Sequence, residues 1–72
     1  DMVSEIVLKF LETHKEFTNS DFIKYMIENG YSYSYARDLI TQLKYMNYIA
    51  PIKKKGKKTI YVSKIFKGEG EQ

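Results

Sequence analysis

The chain has no cysteine, no tryptophan, one histidine and one proline among its 72 residues. Without thiols, neither a disulfide framework nor a thiolate zinc site can hold it together, so stability has to come from an apolar core. The same absence leaves the redox compartment open. No apolar run nears the roughly 18 residues that a membrane span requires, and the N-terminus lacks the basic-then-apolar layout of a secretory signal. A soluble intracellular protein, cytoplasmic or nucleoid-associated and without a membrane partner, is the expectation. Neither paired carboxylates nor a glycine-rich phosphate loop occurs, and the lone His14 falls where helix-end carbonyls need a donor. No enzyme activity, cofactor or metal is expected. Asp1 ahead of Met2 fits either a piece of a larger protein or a leftover residue.

What is present points to a packed chain. The apolar share is 43%, with seven Tyr and four Phe, which sets the sequence apart from a disordered one. The length allows one domain and excludes a second. The domain is expected over residues 1–66, with 67–72 as a disordered tail because Gly68 to Gln72 offer nothing to a core.

The net charge of +3 hides an uneven layout. Residues 1–30 carry three lysines against six acids, whereas residues 31–67 carry eight lysines and Arg37 against Asp38 alone; Glu69 and Glu71 close the chain. Such asymmetry favours a polyanionic partner for the second half.

Val3, Ile6, Val7, Phe10 and Leu11 recur with helical spacing and predict a first helix over 2–14. Thr18 and Asp21 form a capping box, flanked by Phe17 and Phe22 as a hydrophobic staple, and start a second helix. That helix turns Phe22, Ile23, Met26 and Ile27 inward and stops at Asn29-Gly30, where glycine takes the left-handed cap. Tyr31 to Tyr35 alternate like a strand, but Ser32 is a good N-cap, and Ala36, Leu39, Ile40, Leu43 and Met46 continue with helical spacing. A third helix is predicted over 33–46, ending at Asn47, which tolerates the left-handed region. Tyr48–Lys54 and Lys58–Ser63 read as two strands around a Lys55-Gly56-Lys57 turn, with Pro51 confined to an edge or a bulge.

Gly30-Tyr31-Ser32, the inward series Ala36, Ile40 and Leu43, then Asn47-Tyr48-Ile49 and Ile60-Tyr61-Val62 resemble, in that order and spacing, the winged helix-turn-helix DNA-binding family. The resemblance covers residues 3–63 and departs from the family pattern at Asn47, where glycine is usual. It implies an α+β fold, mainly α, of three helices with a C-terminal two- or three-stranded β-hairpin wing. It also implies that double-stranded DNA is the partner and that the third helix enters the major groove. Its outward residues would then be Tyr33, Ser34, Arg37, Asp38, Thr41 and Lys44. Arg37 suits a fork onto guanine, and Ser34 and Thr41 suit base edges or phosphates. Asp38 either accepts from a cytosine amino group, orients Arg37, or is a solvated neighbour; Tyr35 either packs inward or points out.

Lys53, Lys54, Lys55, Lys57 and Lys58 place five cations in six residues on the hairpin, more than protection of an edge strand calls for. They suit the DNA backbone or minor groove and would supply affinity rather than sequence choice. Two other readings stand beside this one. Ser34-Tyr35-Ala36-Arg37 with Ile60-Tyr61-Val62 is also similar to a small-subunit ribosomal winged-helix family of archaea and eukaryotes, which implies RNA as the partner, although that family usually adds a strongly basic N-terminal tail that this sequence lacks. A protein-docking winged helix would use the acidic first helix with Phe66. For a homodimer, the first helix with Ile65 and Phe66 is the apolar surface to nominate.

Overall fold

The structure, a computed structural model, describes residues 4–68. Helix α1 (Glu5–Thr13) starts later than its apolar periodicity suggests. The Ser4 hydroxyl accepts from the Val7 amide at 3.3 Å and fixes the cap there, while Val3 lies outside the described residues. At the other end the His14 ring stacks on Phe10 at 4.0 Å, and its Nδ1 donates to the Phe10 carbonyl at 2.9 Å. This is the capping role expected of it.

Strand β1 (Glu16–Thr18) follows, an element the sequence reading did not contain. Three residues are too few for a periodicity to show, and Phe17 is the single buried residue among them. Helix α2 (Asn19–Glu28) carries the predicted capping box: the Thr18 hydroxyl accepts from the Asp21 amide at 3.1 Å, and the Asp21 carboxylate accepts from the Thr18 amide at 2.9 Å. Helix α3 (Tyr33–Tyr45) begins at Ser32, whose hydroxyl accepts from the Tyr35 amide at 3.0 Å.

Both helices end in the same way. Gly30 (φ 92°) donates to the Ile27 carbonyl and Tyr31 to that of Met26, closing a Schellman motif on α2. Asn47 (φ 69°) and Tyr48 repeat it on α3, donating to Lys44 and Leu43. Asn47 therefore takes the left-handed place that glycine holds at the end of α2.

Strands β2 (Ile49–Lys55) and β3 (Lys58–Ser63) form the hairpin, joined by Gly56-Lys57 with Gly56 at φ 65°. The sheet is antiparallel in the order β1-β3-β2. Its third strand thus comes from between α1 and α2 rather than from the C-terminal part of the chain, as the wing description implied. Pro51 lies on the edge strand, next to a bulge at Ile52 where the register slips.

The core joins Val7, Phe10 and Leu11 of α1, Phe22, Ile23 and Met26 of α2, and Ala36, Ile40 and Leu43 of α3 to Phe17, Ile49 and Tyr61 of the sheet. The staple is present, with the Phe17 and Phe22 rings 6.2 Å apart, and Phe17 also stacks on its cross-strand partner Tyr61 at 5.9 Å. Ile6 and Leu39 are half-buried against this cluster. Two expected core residues are not in it: Ile27 is 48% exposed and Met46 37% exposed. Both fall where a helix is ending. The chain there reverses through a left-handed residue, and Tyr31 and Tyr48 pack against the core just beyond. Tyr25 ties α2 to α1 by donating its hydroxyl to the Ile6 carbonyl at 2.6 Å, and burial pushes this phenol above its ordinary value.

Past the hairpin, Lys67 and Gly68 both donate backbone amides to the Glu12 carbonyl, and the Lys67 ammonium pairs with the Glu12 carboxylate at 3.4 Å. These two residues, expected in a disordered tail, are fastened to α1. The remainder of that tail, 69–72, lies outside the described residues. Ile65 packs against the core, which removes it from the surface nominated for pairing, whereas Phe66 stays exposed.

Ser63 is the buried polar side chain of this region, donating to the Leu11 carbonyl at 2.6 Å and accepting from the Ile65 amide at 3.3 Å. Ser63→Ala should destabilise the domain by about 1–3 kcal/mol, because it strands a carbonyl and an amide in a dry place. Urea unfolding measures this, and a change under about 0.3 kcal/mol would show that water reaches both groups.

Candidate nucleic-acid interface

Ala36, Ile40 and Leu43 pin one side of α3 in the core, which turns the opposite side out. Tyr33, Ser34, Arg37, Asp38, Thr41 and Lys44 are all exposed, as are Gln42 and Tyr45, which the sequence reading passed over. The Arg37 guanidinium lies over the Tyr33 ring, 5.8 Å from its centroid, and no ion pair joins it to Asp38 among the described residues. Residues four apart share a helix face while adjacent ones diverge, so Tyr33 rather than Asp38 holds the arginine. Tyr35 points out, half-exposed, with its ring stacked on Tyr31 at 5.2 Å. Lys44 leans toward the sheet, with its ammonium 5.9 Å from the Tyr61 ring.

The hairpin lysines are exposed, and the strand register divides them. Side chains alternate along a strand, and Lys55 pairs directly with Lys58 while Lys54 pairs with Thr59. Lys53, Lys55 and Lys58 therefore share one face of the ribbon. Lys54 is on the other, where its ammonium donates to the Thr59 hydroxyl at 3.4 Å, and Lys57 stands in the turn. Like charges directly across a strand pair destabilise it. Among the described residues the single ion pair is Glu12–Lys67, so neither Lys55 nor Lys58 is held by a carboxylate.

The first turn of helix α2 borders both the hairpin and the start of α3. Asn19, its first residue, accepts from the Thr59 amide through Oδ1 at 3.1 Å and so ties the hairpin to the helix. Lys55, Lys57 and Lys58 border a cleft with Thr18 and Asp21 at the start of α2, and the same first turn borders, on another side, a groove that runs to Tyr33. The sequence pointed to a capping role for this turn but to no place in a binding surface, because its position beside the hairpin depends on tertiary packing.

The described residues hold no group of three His, Cys, Asp or Glu that could bind a metal ion, and none of their helices is long and apolar enough to cross a membrane. Comparison with protein-family models, with curated proteins and with solved structures returns no match.

Proposed function

We propose that the chain is a winged helix-turn-helix domain that binds double-stranded DNA, as a transcription regulator or as the DNA-binding module of a larger replication or transcription protein. Helix α3 enters the major groove and the lysine hairpin holds the backbone or minor groove. The observation that carries this reading is the hairpin itself: Lys55 and Lys58 stand across from each other with Lys53 and Lys57 near, and among the described residues none of them forms an ion pair, Asp21 being the one acid that borders their cleft. A polyanion relieves that repulsion. The exposed face of α3, with the Arg37 fork held on Tyr33, adds groups able to read base edges. The three-helix, three-stranded layout supports the family reading. No step of this function needs a catalytic residue or a cofactor.

Salt dependence tests the proposal without knowledge of a target sequence. Four to six phosphate contacts should give a log–log slope of affinity against salt of about −4 to −5. Fluorescence anisotropy with a labelled duplex reads this slope. Binding no tighter than about 10⁻⁴ M at about 50 mM salt would remove the DNA reading.

A further inference from the structure

The groove between α2 and the first turn of α3 has a chemistry that duplex binding alone does not use. Ile23 and Ile27 form its floor, and the Tyr33 ring, 55% exposed, stands at one side. Its volume of about 330 Å³ lies at the small end of ligand sites, which run roughly 300–1,000 Å³. At the rim are Asn19, Ser20 and Lys24. The Asn19 carbonyl oxygen is taken by the Thr59 amide, which leaves its NH₂ to donate, and the Ser20 hydroxyl makes no hydrogen bond among the described residues. A single exposed isoleucine needs no explanation. An isoleucine beside a half-exposed aromatic ring, with unspent donors and Lys24 at the rim and the hairpin lysines across the first turn of α2, fits one kind of occupant: flat, with apolar faces and acceptor atoms on its edge, carried on an anionic backbone.

We propose that this groove receives one unpaired nucleobase, so that the preferred DNA is a duplex carrying a bulge, overhang or branch next to the stretch held by the hairpin. This rests on the duplex-binding reading above. A paired base has both faces stacked and its edge engaged, and it cannot enter; an unpaired one offers both. Arg37 over the Tyr33 ring extends the stacking surface with a charge. Lys24 at the rim, and Lys55, Lys57 and Lys58 beyond the first turn of α2, answer the phosphates on either side of the base. Glu28, at the far end of the groove, repels phosphate and leaves the Asn19 end as the path for the backbone.

The test compares a 20-base-pair duplex with the same duplex carrying one bulged 2-aminopurine. The bulged duplex should bind about tenfold tighter, the scale of one stacked base, and the 2-aminopurine fluorescence should fall on binding. Ile27→Gln should abolish both the preference and the quenching while leaving affinity for the plain duplex within about twofold, because Ile27 lies outside the duplex-binding surface. Tyr33→Phe should keep the preference. Equal affinity for the two duplexes with unchanged fluorescence overturns the groove proposal and leaves duplex binding standing. Failure to bind either duplex overturns both.

Discussion

Leu43→Ala should lower the unfolding free energy by about 2–5 kcal/mol, the range for emptying a leucine-sized space in a core. Leu43 is fully buried, at the end of the Ala36, Ile40, Leu43 series through which α3 meets the rest of the core. Alanine keeps the helix propensity, and the Leu43 carbonyl still accepts from the Tyr48 amide to close the Schellman motif. The cost therefore comes from the cavity and the lost contacts. A domain of this length has a total stability on the order of 4–11 kcal/mol, so the variant gives up a large part of it. At about 4–8 °C per kcal/mol, the melting temperature should fall by roughly 8–40 °C. Chemical denaturation of parent and variant provides the comparison, and a difference below about 0.5 kcal/mol would mean that the side chains of α3 can repack around the loss.

The largest effect on binding is expected from Lys54→Gln, Lys55→Gln and Lys57→Gln combined. Each phosphate contact contributes about −0.9 to the salt slope, so removing three should flatten it by about 2–3 units. With about five contacts the parent loses roughly 500-fold in affinity between 50 and 200 mM salt, and the variant, with about two, roughly 12-fold. The fold should be untouched. All three side chains are exposed, and the sole bond at stake is the long one from Lys54 to Thr59. Relief of charge repulsion across the hairpin acts in the direction of greater stability. An unchanged slope in a folded variant would place the DNA elsewhere on the domain and direct the search to a protein partner.

Helix ends were legible in the sequence because their signals are local. Thr18 with Asp21, Ser32, Gly30 and Asn47 each act within four residues, and each performs its capping role in the structure. Strand β1 was not legible, since its pairing with β3 is decided some 44 residues away and three residues hold no pattern of their own. Ile27 followed the α2 stripe by spacing alone, but spacing does not tell where a helix leaves the core. The lysine run was visible at once. Its division between two faces was not, because that depends on Gly56-Lys57 forming the two-residue loop that sets Lys55 against Lys58. The sequence left the orienting of Arg37 open as one of three roles for Asp38, and the stacking of Arg37 on Tyr33, one turn earlier, was not foreseen, although helical geometry allows it.

The strand at the centre of the sheet is the last one synthesised. Until Ser63 has left the ribosome, β1 and β2 have no partner, because neither bonds to the other and both bond to β3. A growing chain proceeds from its N-terminus, so the three helices can associate early while Phe17 and Ile49 wait without the Tyr61 strand that lies between theirs. Closure then spans the interval from Glu16 to Val62, most of the described chain, and ordering this loop sets the pace of folding more than forming any helix does. A chain released at Lys57 would hold every helix and lack a sheet, with two unpaired strand edges exposed to neighbouring molecules.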